Sequence, residues 1–100
     1  MKEGEIKACQ CLKIMNELVG FDVRDNDRRS ERVWARNLLA YKMKDYGLTL
    51  GEIGEILCRD HATVSHCQKR AKTAIDRPLM YQDVMEIWNS FQERLNLEKL

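Results

Sequence analysis

Apolar residues recur every three or four positions along five separate stretches of the chain, with polar residues between them. At this spacing side chains share one face of an α-helix, and no stretch shows the strict alternation of a β-strand. The pattern predicts an all-α fold, a small bundle of about five helices. The five predicted stripes are Ala8, Cys11, Leu12, Met15, Leu18 and Val19; Val33, Ala35, Leu38, Leu39, Met43 and Tyr46; Ile53 and Leu57; Val64, Cys67, Ala71, Ala74 and Ile75; and Met80, Val84, Ile87, Trp88, Phe91 and Leu95.

The ends of the first two helices are predicted by residues that cap or break helices. The first helix should span about residues 3–19 and end at Gly20, since glycine readily adopts the left-handed conformation at a helix C-terminus. Ser30 is the expected N-cap of the second helix, which should stop at Gly47. The charged run of residues 24–29 is expected to form the loop between them.

The later helices carry sharper start signals. Thr49 followed by Glu52 is a capping-box pattern, so the third helix should begin there and end near Leu57. Asp60 is the expected N-cap of the fourth helix. Asp76-Arg77-Pro78 should break the chain before a fifth helix. The stripes themselves predict core, so Trp34, Trp88 and the five methionines are interpreted as packing residues.

The third and fourth predicted helices have the layout of a helix-turn-helix. Gly54 has no side chain and would let the two helices cross closely. A glycine inside a helix costs about 1 kcal/mol relative to alanine, so its presence suggests a packing reason. Cys58 stands in the turn, where many such motifs have glycine. Val64 would anchor the second helix of the motif on the first, against Ile53 and Leu57. In such proteins this second helix lies in the major groove of DNA.

An inward Val64 leaves a polar face directed outward. That face carries short side chains near the helix start and a cationic side chain further along. Its residues are His61, Ala62, Ser65 and Lys69. Amide groups at a helix N-terminus can hold a phosphate, and cations contact the phosphate backbone. Candidate phosphate-binding residues are therefore Ser65, Lys69, Arg70 and Lys72 on this helix, and a second basic cluster, Arg28, Arg29, Arg32 and Arg36, placed to reach phosphates or the minor groove.

Size and charge are compatible with one DNA-binding domain spanning residues 1–100. The net charge is only +1, but residues 24–75 carry eleven basic and seven acidic residues, whereas residues 1–23 and 76–100 are both net negative. The positive charge thus falls in the segment with the helix-turn-helix pattern, and local potential governs steering. A charged, solvated face on a generic helical bundle has the same composition.

Other classes of site lack the residue patterns that they require. Cys58, His61, His66 and Cys67 match known zinc-ligand spacings poorly, so no metal or other cofactor is expected. A Cys–His nucleophile lacks a third orienting group, and no enzymatic activity is expected. No apolar run approaches a membrane span, and residues 1–5 do not resemble the start of a signal peptide. A cytoplasmic location with reduced cysteines is the expectation.

The same residues resemble a known family, the C-terminal DNA-binding domain of the bacterial replication initiator DnaA. Three segments carry the resemblance: Arg28-Arg29-Ser30 before a helix with Ala35-Arg36, then Leu50-Gly51-Glu52-Ile53-Gly54, and then Arg59-Asp60-His61-Ala62-Thr63-Val64 with His66. The similarity covers residues 18–75 well and the flanking helices loosely. The Glu-Ile-Gly and Arg-Asp-His-x-Thr-Val combination is far more specific than a lone helix-turn-helix.

The resemblance implies a Trp-repressor-like all-α fold and recognition of a short double-stranded DNA box. Asp60, His61, Ala62 and Thr63 would then read bases in the major groove, and Arg59, Lys69 and Arg70 would hold phosphates. An arginine at the start of the second helix would enter the minor groove: Arg36, or Arg32, because the alignment slips by one residue there.

Three departures separate this chain from the family. The turn before Arg59 is one residue shorter than in many members and lacks their glycine. Ala62 stands where a hydroxyl residue is common. No Gly-x-x-x-x-Gly-Lys-Ser/Thr loop occurs, so ATP binding is not expected, and the chain resembles either a stand-alone DnaA-like protein or an excised domain.

The sequence therefore predicts sequence-specific double-stranded DNA binding, in origin recognition or as a stand-alone regulator, with other replication proteins as further candidate partners. A transcriptional repressor would use the same chemistry. An adaptor that keeps the fold and binds protein instead of DNA is the other alternative, motivated by the acidic C-terminal helix around Trp88 and Phe91.

Overall fold

Five α-helices form the fold in the computed structural model, which describes residues 2–26 and 28–100. They are α1 (Glu3–Val19), α2 (Ser30–Met43), α3 (Leu50–Leu57), α4 (His61–Asp76) and α5 (Gln82–Leu97), with a short 3-10 turn at Lys44–Tyr46 after α2. No strand occurs in the described residues. The all-α, five-helix prediction is confirmed.

Helix α2 lies at the centre of the bundle. It packs most extensively on α4, and it also contacts α1, α3 and α5. Its buried side chains include Leu38, Leu39 and Met43, which are fully covered. α1 packs on α2 and α5, and α3 packs on α4. The fourth helix is therefore held from one side, and its other side faces away from the bundle.

Most of the predicted helix ends are confirmed. Gly20 and Gly47 both adopt the left-handed conformation, with φ of 77° and 76°, but Gly47 ends the 3-10 turn, whereas α2 itself ends earlier than predicted, at Met43. Thr49 and Glu52 form the reciprocal capping box at the start of α3. Ser30 is different: it is already the first residue of α2, and the N-cap is Arg29, with no capping hydrogen bond from its side chain. The prediction of Ser30 as N-cap is wrong.

One apolar residue of the last predicted stripe, Met80, lies elsewhere than the periodicity predicts. Met80 precedes α5, in the turn after Pro78, and 73% of its surface is exposed, so it is not a packing residue. Its neighbour Leu79 is 83% exposed. Trp88 and Phe91, by contrast, are buried in the core. The two aromatic residues that motivated an adaptor role are therefore not available on the surface.

The N-terminal helix is tied to the body by polar contacts as well as by packing. The Cys11 thiol and the Tyr46 hydroxyl share a hydrogen bond of 3.2 Å. Burial of both groups raises the pKa of Cys11 and that of Tyr46 above their ordinary values. Near the C-terminal end of α1, Arg94 of α5 pairs with Glu17. Among the described residues, no helix combines the length and apolar character that crossing a membrane requires.

Candidate nucleic-acid interface

The turn between α3 and α4 is tight, and two residues permit it. A Cβ on Gly54 would overlap the backbone carbonyl oxygen of Arg59, so only glycine allows the chain to pass this close to α3. Cys58 adopts the left-handed conformation, with φ 58° and ψ 45°, and ends α3. The Arg59 amide then donates a 2.9 Å hydrogen bond to the Gly54 carbonyl. The predicted place of Cys58 in the turn is confirmed. Gly54 does permit a close approach, but to the turn backbone at Arg59 and Asp60, whereas the prediction was a close crossing of the two helices.

Asp60 fixes the start of α4. Its carboxylate accepts a 2.7 Å hydrogen bond from the Thr63 amide, as predicted for an N-cap. That hydrogen bond, from the backbone amide, is the main reason why the pKa of Asp60 is lowered from its ordinary value. Val64, Cys67, Ala71 and Ala74 form the buried stripe of the helix. The tip of α4 is thus held in one orientation by its cap and by its packing.

The predicted base-reading residues lie together at that tip. Asp60, His61 and Ala62 are exposed, and Thr63 is half-buried. Ser65 follows, half-buried, on the next turn. The backbone amide of Leu100 donates a hydrogen bond back to the Leu95 carbonyl of α5. The tip is open to solvent.

Cationic residues continue along the same side of α4. Lys69 and Arg70 are exposed, two turns beyond the tip. The guanidinium of Arg70 lies 5.1 Å from the ring centroid of Trp34 in α2, which orients it. Lys72, one turn further, pairs with Asp76 at 2.7 Å. Lys69 and Arg70 are therefore better placed than Lys72 to contact an external phosphate.

Arg36 does not occupy the position that the resemblance implies. It is 8% exposed, and its guanidinium donates hydrogen bonds to the backbone carbonyls of Val23, at 2.8 Å, and of Asp25, at 2.6 Å. A guanidinium that is covered and bonded to its own chain cannot enter a groove of DNA. The structure contradicts the predicted minor-groove role of Arg36, which instead holds the loop between α1 and α2.

Two guanidinium nitrogens of Arg59 donate hydrogen bonds to the loop between α1 and α2 that Arg36 also contacts. They donate to the carbonyls of Arg24 and Asp25 at 3.0 and 2.9 Å, so the Asp25 carbonyl is shared with Arg36. A phosphate contact by Arg59, as predicted, would compete with these bonds. Hydrogen bonds from Arg24 to the Asp22 carboxylate constrain the same loop. These bonds lower the pKa of Asp22 to about 2.

The three remaining arginines of the second basic cluster differ in exposure. Arg28 and Arg29 are exposed at the start of α2. Arg32 is half-buried, and its guanidinium lies 4.3 Å from the ring centroid of Phe21. Arg28 and Arg29 are therefore the more exposed members of this cluster.

A cavity of about 530 Å³ joins the loop to the tip of α4. Three arginines line it, Arg28, Arg36 and Arg59, together with Thr63 and Asn26, and no acidic side chain lines it within residues 2–26 and 28–100. The positive charge of these guanidinium groups favours an anion at this position. Asn26 is a wall residue that the sequence analysis did not single out, although its place in the polar run before Arg28 was a usable signal.

The two cysteines that were considered as zinc ligands differ in exposure to solvent. Cys58 is exposed in the turn, whereas Cys67 is buried, and burial raises the pKa of its thiol. Within residues 2–26 and 28–100, no group of three or more cysteine, histidine or acidic side chains is arranged to hold a metal ion.

Comparison with known proteins adds no assignment. A scan of protein-family models, a search of curated proteins and a search of solved structures each give no match to this chain.

Proposed function

We propose that this protein binds double-stranded DNA in a sequence-specific manner, with the tip of α4 in the major groove. The observation that carries the proposal is the open, rigid tip itself. His61 and Ala62 are exposed there, while Val64 and Cys67 anchor the opposite side of the helix in the core. A helix that presents short polar residues at an exposed N-terminus is suited to reach base edges.

Phosphate contacts would come from two sides of that tip. Lys69 and Arg70 extend along the outer face of α4, and Arg28 and Arg29 are exposed at the start of α2. The cavity lined by Arg28, Arg36 and Arg59 lies between these two sides and would favour a phosphate near Thr63. The resemblance to the DnaA C-terminal domain supports the same arrangement, apart from the buried Arg36.

The direct test is selection of bound duplexes from a random library, with the winning site then used for quantitative binding. The proposal requires an enriched consensus. If about four phosphates are neutralised, affinity should fall roughly 100-fold between about 50 and 200 mM salt. Recovery of unrelated sequences only, or a flat salt response, would contradict the proposal.

A matched pair of lysine variants separates the interface from general charge effects. Lys69→Ala removes an exposed lysine from the face of α4, and Lys13→Ala removes one from α1. Loss of one phosphate contact should reduce the slope of log affinity against log salt by about 1 for Lys69→Ala. Lys13→Ala should leave the slope unchanged. Equal slopes in the two variants would exclude Lys69 from the interface.

A further inference from the structure

A second depression lies on another part of the surface, between the starts of α2 and α5. Its volume is about 910 Å³. The apolar residues that line this α2–α5 groove are Trp34, Leu79, Met80, Tyr81, Val84 and Ile87. Leu79 and Met80 are 83% and 73% exposed, more than most large apolar side chains. Exposed apolar residues gathered at one depression are typical of an interaction site.

The backbone presents these two side chains rather than burying them. After Pro78, the Met80 amide bonds to the Arg77 carbonyl at 3.0 Å, and the Tyr81 amide bonds to the Pro78 carbonyl at 3.3 Å. These bonds form a tight turn that directs Leu79 and Met80 outward. Trp34 and Tyr81 meet edge to face at 5.5 Å, so part of the groove wall is also fixed. A preformed apolar surface lowers the entropic cost of binding.

The charge of the groove is opposite to that of the α4 face. Its charged lining residues are Glu31, Asp83, Glu86 and Arg29, three carboxylates against one guanidinium. Such a lining disfavours DNA and anionic lipid headgroups, and it favours an occupant with positive charge next to its apolar anchors. This groove and the α4 face therefore select different classes of ligand.

A second copy of this chain is a poor occupant in its described part. Groove-to-groove pairing through Leu79 and Met80 would place the three carboxylates of one copy against those of the other. The remaining exposed large apolar side chains are Ile6, Leu50 and Leu97. No two of them stand three or four residues apart on one helix. A groove with several apolar contacts is better matched by a ligand with two or more anchors at that spacing.

We infer that the α2–α5 groove binds an amphipathic helical segment of a partner protein, with aliphatic anchors flanked by lysine or arginine. Leu79 and Met80 supply adaptable apolar contacts, because methionine in particular accommodates varied shapes. Asp83 and Glu86 pair with the flanking cations and fix the orientation of the helix. The inference does not depend on base reading, since none of these residues belongs to the tip of α4; the two surfaces share only Arg29, which lines the groove and is also a proposed phosphate contact.

The test is to pan a displayed library of helical peptides on the full chain. The negative selection uses the Leu79→Ser/Met80→Ser double variant, whose changes lie on the surface and should leave the helical circular dichroism spectrum unchanged. Enriched peptides should carry aliphatic anchors at three- and four-residue spacing and a net positive charge. They should bind the double variant at least about tenfold more weakly, as expected when anchor contacts are lost.

Two further variants sharpen the result. Leu97→Ser removes an equally prominent leucine, 77% exposed, from the far end of α5 and should not change peptide binding. Asp83→Lys/Glu86→Lys should weaken binding of the basic peptides. No enrichment, no charge bias, or binding that survives in the Leu79→Ser/Met80→Ser variant would overturn the inference.

Other occupants give distinct results. Self-association in sedimentation that depends on Leu79 and Met80 would identify a second copy as the occupant and overturn the inference. Binding to phosphatidylserine vesicles that the same double variant abolishes would overturn it in favour of a membrane surface. DNA affinity should be the same in the double variant and the original chain, so failure of either proposal can be told from failure of the other.

Discussion

Replacement of Gly54 by alanine tests the close approach on which the helix-turn-helix depends. In an unconstrained helix the change would stabilise by about 1 kcal/mol. Here the added Cβ would overlap the Arg59 carbonyl oxygen, which belongs to the backbone of the turn and cannot rotate aside as a side chain can. Because overpacking costs about 1–3 kcal/mol, occasionally more, and the helix gains about 1 kcal/mol, we expect a net loss of up to about 2 kcal/mol in the free energy of unfolding.

Gly51 provides the matched control within the same helix. It lies in the first turn of α3 and is exposed, and the nearest atom to an added Cβ is the Thr49 hydroxyl oxygen at 3.9 Å. Gly51→Ala should therefore raise the free energy of unfolding by about 0.5–1 kcal/mol. The two substitutions are chemically identical, so opposite signs would arise from their surroundings alone.

Urea denaturation followed by far-UV circular dichroism measures both effects. A chain of this size is expected to unfold in one cooperative step, so the midpoint and the slope give the free energy. The slopes of the two variants should agree with that of the original chain. Equal stabilisation by Gly54→Ala and Gly51→Ala would refute the argument that the turn presses on α3 at Gly54.

Three further predictions concern single residues. Cys58→Gly should raise the free energy of unfolding by up to about 1 kcal/mol in the same assay, because the left-handed conformation costs a non-glycine residue about 1–2 kcal/mol and glycine loses part of that in entropy; a less stable variant would contradict it. Asn37 is 2% exposed and its Nδ2 has no hydrogen-bond partner among the described residues, so Asn37→Leu should stabilise by about 1 kcal/mol, and destabilisation would mean that the amide is paired. An NMR titration of the Asp60 carboxyl should give a pKa below its ordinary value of 3.8, and a pKa at or above 3.8 would contradict the cap. The cap should contribute its full stability above pH 3.8 and lose it as the pH falls through the lowered pKa. The Asp60→Asn variant should not show this pH dependence of stability.

Features that depend on residues close in sequence were predictable. The capping box of Thr49 and Glu52 and the cap of Asp60 each join groups three residues apart, so the sequence contains both partners. Gly54 was recognisable because a glycine inside a helical pattern is unfavourable without a packing reason. The inward stripe of α4 followed from its period, and that stripe determines which residues face out at the tip.

Features that depend on distant parts of the chain were not predictable in this way. Arg36 is buried because the loop before α2 folds over it and accepts its hydrogen bonds. The accepting carbonyls, of Asp25 and Val23, lie eleven and thirteen residues earlier in the chain. The periodicity included Met80 because its spacing to Val84 is helical, but the turn after Pro78 ends before that helix begins. The acidic and apolar lining of the α2–α5 groove likewise appears only when α2 and α5 are brought together.

Base reading by the tip of α4 is tested most directly by His61→Ala, measured on the duplex selected from the random library and on a duplex of scrambled sequence. His61 is exposed, so the substitution should leave stability nearly unchanged. If His61 reads a base, affinity for the selected duplex should fall by about 1–3 kcal/mol, and affinity for the scrambled duplex should fall by less. Equal losses on both duplexes, or no loss on either, would contradict recognition of DNA sequence by this residue.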